Sequence, residues 1–255
     1  MNGPIVLLTD FGCSDPFVGI MKGVILSRCP RANVVDLTHG IPPQDIRSAA
    51  FALMSAVPYF PQDSLFVCVV DPGVGSRRPV LYARSARHRF LAPDNGLLSW
   101  AARTGAFREL RGVTNRRLFL PKLGSTFHGR DVFAPVAAAL ASGFRPGELG
   151  PRRKTMKKIT FPSVRRAGRR LRGEVLAVDR FGNATTNLKP EALRRGACLE
   201  TAACRLGPLR ASYCSVAVGE PAAIVGSAGF VELAIRNGNF AAAFGVRAGE
   251  PVYAG

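Results

Sequence analysis

Three apolar runs punctuate the start of this chain: Ile5-Val6-Leu7-Leu8, Val34-Val35-Asp36-Leu37 and Leu65-Phe66-Val67-Cys68-Val69-Val70. Runs that are apolar without strict alternation mark strands buried on both faces. Such strands need helices on either side, which points the first half of the chain to an α/β architecture with a mainly parallel sheet. The intervening residues agree. Asp15 and Pro16 read as an N-cap and a first helical position. Phe17, Ile20, Met21, Val24 and Ile25 follow at helical spacing. Pro42-Pro43-Gln44-Asp45 opens a second helix through Ala49, Ala50, Leu53 and Met54. Arg89-Phe90-Leu91-Ala92 is a further strand, and the alanine-rich residues 131–141 are a further helix.

The character then changes. Residues 151–172 hold ten lysines and arginines and no acid. Beyond them come short strands, among them Ala222-Ala223-Ile224-Val225 and Val231-Glu232-Leu233-Ala234-Ile235, broken by glycines. That pattern predicts a small β-barrel. The expected division is an α/β domain over 1–160 and a barrel over 172–255, joined by a polar, glycine-poor tether.

The chain has 255 residues, of which 47% are hydrophobic, enough for two modest cores. No apolar run reaches the roughly 18–20 residues of a membrane span, and the start shows no basic leader, so a cytoplasmic protein is expected. The six cysteines form no Cys-x-x-Cys pair and read as free thiols, with Cys68 a small core residue. The net charge of +18 raises the alternative of a basic nucleic-acid-binding protein. More than half of that excess falls in 151–172, with no zinc-finger spacing or RNP-like aromatic motif, so a solvated interdomain segment is the better reading.

Chemistry concentrates in two motifs. Asp71-Pro72-Gly73-Val74-Gly75-Ser76-Arg77-Arg78 leaves the carboxyl end of the third strand, where open α/β sheets build their sites. Phe127-His128-Gly129-Arg130-Asp131 carries one of only three histidines. Together they supply Asp, Arg and His able to orient a small polar molecule such as water.

Seven motifs occur in order: Leu8-Thr9-Asp10-Phe11-Gly12 with Asp15; Lys22-Gly23; Asp36-Leu37-Thr38-His39; Val70-Asp71-Pro72-Gly73-Val74-Gly75; Asp94-Asn95-Gly96-Leu97-Leu98; Phe127-His128-Gly129-Arg130-Asp131; and Asp179-Arg180-Phe181-Gly182-Asn183. This succession resembles the S-adenosyl-L-methionine (SAM) hydrolases, also called SAM hydroxide adenosyltransferases, which are related to the fluorinase and chlorinase. The resemblance implies hydrolysis of SAM to adenosine and L-methionine, with no metal or cofactor. It also implies a homotrimer, with substrate between one subunit's first domain and its neighbour's barrel.

Carried over residue by residue, the resemblance assigns catalysis to Asp71, Arg78 and His128. Asp10 resembles the acceptor for the ribose hydroxyls, and Asp179 and Ser227 resemble contacts to the methionine amino and carboxylate groups. Asn183 resembles the adenine contact. Glu232 lies in a matching stretch, although strand alternation equally fits a solvent-facing side chain. His39 matches a motif but reads as structural. Either Asp71 or His128 can serve as base; a bidentate Arg78 would favour orientation of water over prior formation of hydroxide.

Departures from the halogenases favour water. Asp71 replaces a tyrosine beside the reacting carbon, where a carboxylate repels halide. Gly129 replaces a serine near the halide, and Ala228 an arginine near the methionine end. A SAM-dependent halogenase is therefore the lesser alternative. A metal hydrolase built on Asp10, His39, Asp71 and His128 lacks compact ligand spacing.

Overall fold

A computed structural model describes residues 3–255. The chain divides into two compact units, Met1–Thr160 and Phe161–Gly255.

The first unit is built on strands β1 (Ile5–Thr9), β2 (Val34–Thr38), β3 (Leu65–Val69), β4 (Val80–Arg84), β5 (Arg89–Pro93) and β6 (Glu109–Gly112), with helices α1 (Phe17–Arg28), α2 (Ile46–Ala56) and α3 (Ala134–Ala141). The sheet order is β2-β1-β3-β5-β4-β6. β1 runs parallel to β2 and β3, and β3 parallel to β5. β4 is antiparallel to both β5 and β6. The sheet is thus mixed: parallel over β2, β1, β3 and β5, as expected of its larger part, and antiparallel at β4 and β6. β5 returns from β4 through a short turn in which Ser85 N donates to the His88 carbonyl at 2.9 Å; a link that short can only reverse the strand.

The two-period of the strands explains the continuous apolar runs. Ile5, Leu7, Leu65, Val67 and Val69 pack on one face with Met21 and Ile25 of α1 and with Val136 and Leu140 of α3. Val6, Leu8, Phe66, Cys68 and Val70 pack on the other with Ala49 and Leu53 of α2. The loops after β1 and β3 are therefore fixed by two cores, and burying a leucine such as Leu53 contributes about 2 kcal/mol.

α2 begins at a side-chain cap within the expected opening residues: the Asp45 carboxylate accepts from Ser48 N at 2.9 Å. α1 does not. Pro16 holds its N-cap position, with no side-chain cap bond, so Asp15 is not the cap that the Asp-Pro pair predicts. The helix expected from Asp131 opens as a single π-helical turn, Gly129–Phe133, that runs directly into α3.

The second unit holds β7 (Arg165–Ala167), β8 (Arg170–Val178), β9 (Ala184–Thr186), β10 (Leu199–Glu200), β11 (Arg205–Leu206), β12 (Pro221–Val225), β13 (Val231–Ile235), a short helix α4 (Phe240–Phe244) and β14 (Pro251–Ala254). They form an antiparallel sheet in the order β11-β10-β14-β8-β9-β13-β12, with β7 added on β8. Just beyond β11, Arg210 N donates to Ala223 O of β12 at 2.8 Å, so the two ends of the sheet nearly meet in a barrel-like ring. Val175, Leu199, Val231, Leu233, Phe240 and Val252 fill it.

The basic segment is more structured than a tether. Lys157 N donates to the Asp94 carboxylate at 2.6 Å and Ile159 N to Ser99 Oγ at 2.9 Å in the first unit. Residues 165–172 become the β7–β8 hairpin of the second.

Candidate active site

Just past β3, the chain turns out of the sheet at Asp71. Val74 N returns to Asp71 O at 3.2 Å and Ser76 N to Gly73 O at 3.1 Å. Ser76 Oγ then donates to Gly73 O at 2.7 Å and accepts from Arg78 N at 3.2 Å. These bonds wind the loop so that Arg78 comes back onto the residue seven positions before it. Its Nε donates to Asp71 Oδ1 at 2.7 Å, and its Nη2 donates to Asp71 Oδ2. The side chains are only 10% and 5% exposed, so Arg78 is a buried partner, not a surface arginine. Its guanidinium also lies 5.8 Å from the Phe133 ring centroid.

The third member arrives from the other motif. Arg78 Nη2 stands 3.2 Å from Nδ1 of His128, the residue that leads into the π turn. A guanidinium has only donors, so Nδ1 accepts and the neutral imidazole carries its proton on Nε2. Burial, then the nearby Arg78 charge, lowers the His128 pKa from 6.5; Asp71, Asp131 and a backbone hydrogen bond at Gly124 oppose them without reversing the shift. Both effects favour the neutral ring.

A cleft of about 350 Å³ opens beside this cluster, lined among others by Asp10, Phe11, Phe17, Gln44, Asp71 and His128. One wall is aromatic. The rings of Phe11, Phe17 and Phe127 meet edge to face, with centroids 5.2–5.8 Å apart. Asp10 sits just past the end of β1 and its Oδ2 accepts from Gln44 N at 2.8 Å. Gln44 takes a left-handed φ of 66° to present that amide, a conformation uncommon outside glycine and typical of functional sites. Gly129 lies against the same rings: a Cβ there would stand 3.0 Å from Phe127, 3.1 Å from Met21 Sδ and 3.3 Å from Phe11.

The loop bearing Phe127 and His128 is held from behind. The fully buried Asp131 accepts from Gly124 N at 2.8 Å and from Arg130 Nε and Nη2 at 2.6 and 3.1 Å. Arg130 in turn covers the Phe127 ring at 5.3 Å. Burial pushes the Asp131 carboxyl up, but Arg130 and the Gly124 N–H outweigh it, and its pKa is lowered. His39 is buried away from the cleft lining. Its Nδ1 is 2.9 Å from Thr9 Oγ1 and its Nε2 is 3.0 Å from Asp36, a structural tie between neighbouring strand ends. Among the described residues, no three His, Cys, Asp or Glu side chains converge as metal ligands.

The remaining expected residues stand on the second unit. Asp179 Oδ1 accepts from Phe181 N at 2.9 Å and Asn183 N at 2.8 Å, while Asn183 Nδ2 donates to Asp179 Oδ2 at 3.1 Å. Asp179 is exposed and Asn183 buried. Gly182 between them has φ 83°, and any Cβ would overlap the Asn239 side chain; only glycine fits this turn. Ser227 is exposed in the turn joining β12 to β13. Glu232 is 7% exposed, not solvent-facing. It accepts from Tyr213 Oη at 2.5 Å and Thr185 Oγ1 at 3.4 Å. Burial, then the Glu232 bond, raises the Tyr213 pKa.

Sequence reasoning missed Gln44, the three-ring wall and Tyr213. Phe17 was readable only as helix core and Gln44 only as part of a helix start. The Phe-His and Asp-Phe-Gly contexts of Phe127 and Phe11 were the one available signal. Tyr213 had none.

Comparison with known proteins bears on both units. Residues 5–150 match the model of the SAM hydroxide adenosyltransferase N-terminal domain, and residues 173–253 that of its C-terminal domain. A curated relative from Thermus thermophilus, named (R)-S-adenosyl-L-methionine hydrolase, is 41% identical over 98% of both chains. A fluorinase from Actinoplanes is 25% identical over 97% of this chain and 96% of its own. The solved structure of an uncharacterized conserved protein from Thermotoga maritima superposes with a TM-score of 0.92. It is 32% identical and covers 98% of this chain and 99% of that one.

Proposed function

Since the chain belongs to the SAM hydroxide adenosyltransferase family, we propose that it is a SAM hydrolase, splitting S-adenosyl-L-methionine with water into adenosine and L-methionine. The observation that carries this reading is the closed Asp71–Arg78–His128 set at the edge of an aromatic-walled cleft.

The chemistry asks little beyond positioning. Water oxygen bonds to C5′ as the C5′–S bond breaks, and its electron pair stays on sulfur. The sulfonium becomes a neutral thioether, so the leaving group needs neither acid nor metal. The nucleophile is the weak partner, and holding it in line behind C5′ is the main contribution. Arg78 fixes the plane of the Asp71 carboxylate, whose free lone pairs accept from water and take up the proton late in the step. His128 spends its Nδ1 lone pair on Arg78, so it serves as the anchor of that arginine and not as the base. Asp10 is the acceptor for the ribose hydroxyls. Asp179, Asn183, Ser227 and Glu232 contact the amino acid and adenine ends, and Tyr213 holds Glu232. The relative's name specifies the R configuration, which makes the sulfur epimer the first substrate to compare.

The same proposal includes a homotrimer with sites between one subunit's first unit and its neighbour's barrel; a one-chain mass by light scattering would remove it. It also includes a cytoplasmic setting, where the six free cysteines stay reduced. Among the described residues, no helix is long and apolar enough to cross a membrane.

The test is incubation with each SAM epimer in chloride-free buffer containing chelator, with products followed by chromatography and mass. Equal adenosine and methionine, lost in Asp71→Asn, are expected. Turnover only with added halide would make it a halogenase, a branch that the crowding at Gly129 disfavours.

A further inference from the structure

A second concavity lies on the barrel unit. The β7–β8 hairpin turns at Gly168, with φ 62°, and carries Arg166, Arg169 and Arg170 to its rim; Arg194 completes the lining beside Leu171 and Leu193. The space is about 90 Å³. Of the four guanidiniums, Arg170 is compensated: it pairs with Glu200 at 2.7 Å and covers the Tyr253 ring at 5.3 Å. Arg166, Arg169 and Arg194 make no ion pair among the described residues.

The hairpin is costly in isolation. Its register sets Arg165 directly across from Arg172, and like charges directly opposite each other destabilise a sheet. A solvated charge run would spread such residues along an open face. Here four exposed arginines gather around one small concavity.

We propose that this concavity is an anion site for a phosphoryl group, on the unit that does not carry Asp71. Several unpaired guanidiniums offer forked donors that match phosphate oxygens, and the charge calls for a multiply charged anion rather than a lone carboxylate. The volume suits one such group, from free phosphate or from the backbone of a nucleic acid. The assignment is independent of the hydrolase reading, because none of these arginines is among the residues that line the cleft.

The test titrates the full chain with inorganic phosphate and, separately, with a single-stranded RNA oligonucleotide, by calorimetry at low and moderate salt. It compares the wild type with the Arg166→Glu, Arg194→Glu double variant. One saturable site is expected, weakened at least tenfold in the variant, while Arg166→Lys with Arg194→Lys retains most of the affinity. SAM turnover is expected to be equal in all three. Saturation by phosphate identifies a free anion as the source. Binding of RNA alone, with a salt slope that shrinks in the charge-reversed variant, identifies a phosphodiester backbone. No binding of either probe, or equal binding by wild type and charge-reversed variant, overturns the site and leaves the activity assay untouched.

Discussion

Gly75 and Ser125 lock two loops together. Gly75, at φ 79°, lies so close to the Ser125 carbonyl that any Cβ would overlap it. One loop carries Asp71 and Arg78; the other leads to His128. The bond from Arg78 to His128 therefore bridges two segments already pressed into register, and the cluster is pre-organised before substrate arrives.

Arg78→Lys keeps the charge but loses the fork. A lysine cannot bond both Asp71 oxygens and His128 at once. Turnover is expected to fall by about 100-fold, with KM little changed. A steady-state comparison that finds near-normal kcat would show that charge alone suffices.

Acid should act through His128. Its folded pKa lies below 6.5, so the unfolded state binds the proton first. Stability from this group is full above that value and is lost as pH falls through the lower folded one. The imidazolium then repels Arg78 and opens the cluster. Turnover is expected to drop with acid over that range in the wild type, and His128→Asn is expected to flatten this limb. His88, whose pKa burial also lowers, should keep the melting temperature acid-sensitive in both proteins.

Gly129→Ser tests the branch. The added atoms meet Phe127, Met21 and Phe11 at tight distances. Loss of hydrolysis by about tenfold, with no 5′-halo product in chloride, is the expected assay result.

Asp131→Asn loosens the support behind His128. The amide still accepts one bond but leaves the Arg130 fork unmatched. A melting temperature lower by about 5 °C is expected, together with a lower kcat. Unchanged kcat in the destabilised protein would confine Asp131 to folding.

In the first unit, β1 and β3 were legible because burial on two sides leaves a continuous apolar run. β4 is equally apolar, but residue types carry no record of strand direction, so the antiparallel edge was not readable. β6, Glu-Leu-Arg-Gly, has too few apolar residues to stand out. For the site, Asp71, Arg78 and His128 were legible from ordered motifs, and the contacts in the structure bring all three together. Glu232 shows the opposite limit. Its neighbours alternate as on any half-exposed strand, yet β13 lies between β9 and β12 and its carboxylate turns to Tyr213 and Thr185. Partners distant in sequence decided that, and strand period cannot reveal them.

The link from Arg210 to β12 has a colloidal consequence. A sheet left open there would offer a row of free amides and carbonyls to any extended peptide that drifted past. By bringing its two ends almost into contact, the second unit hides that template and resists strand-by-strand accretion when many copies crowd together.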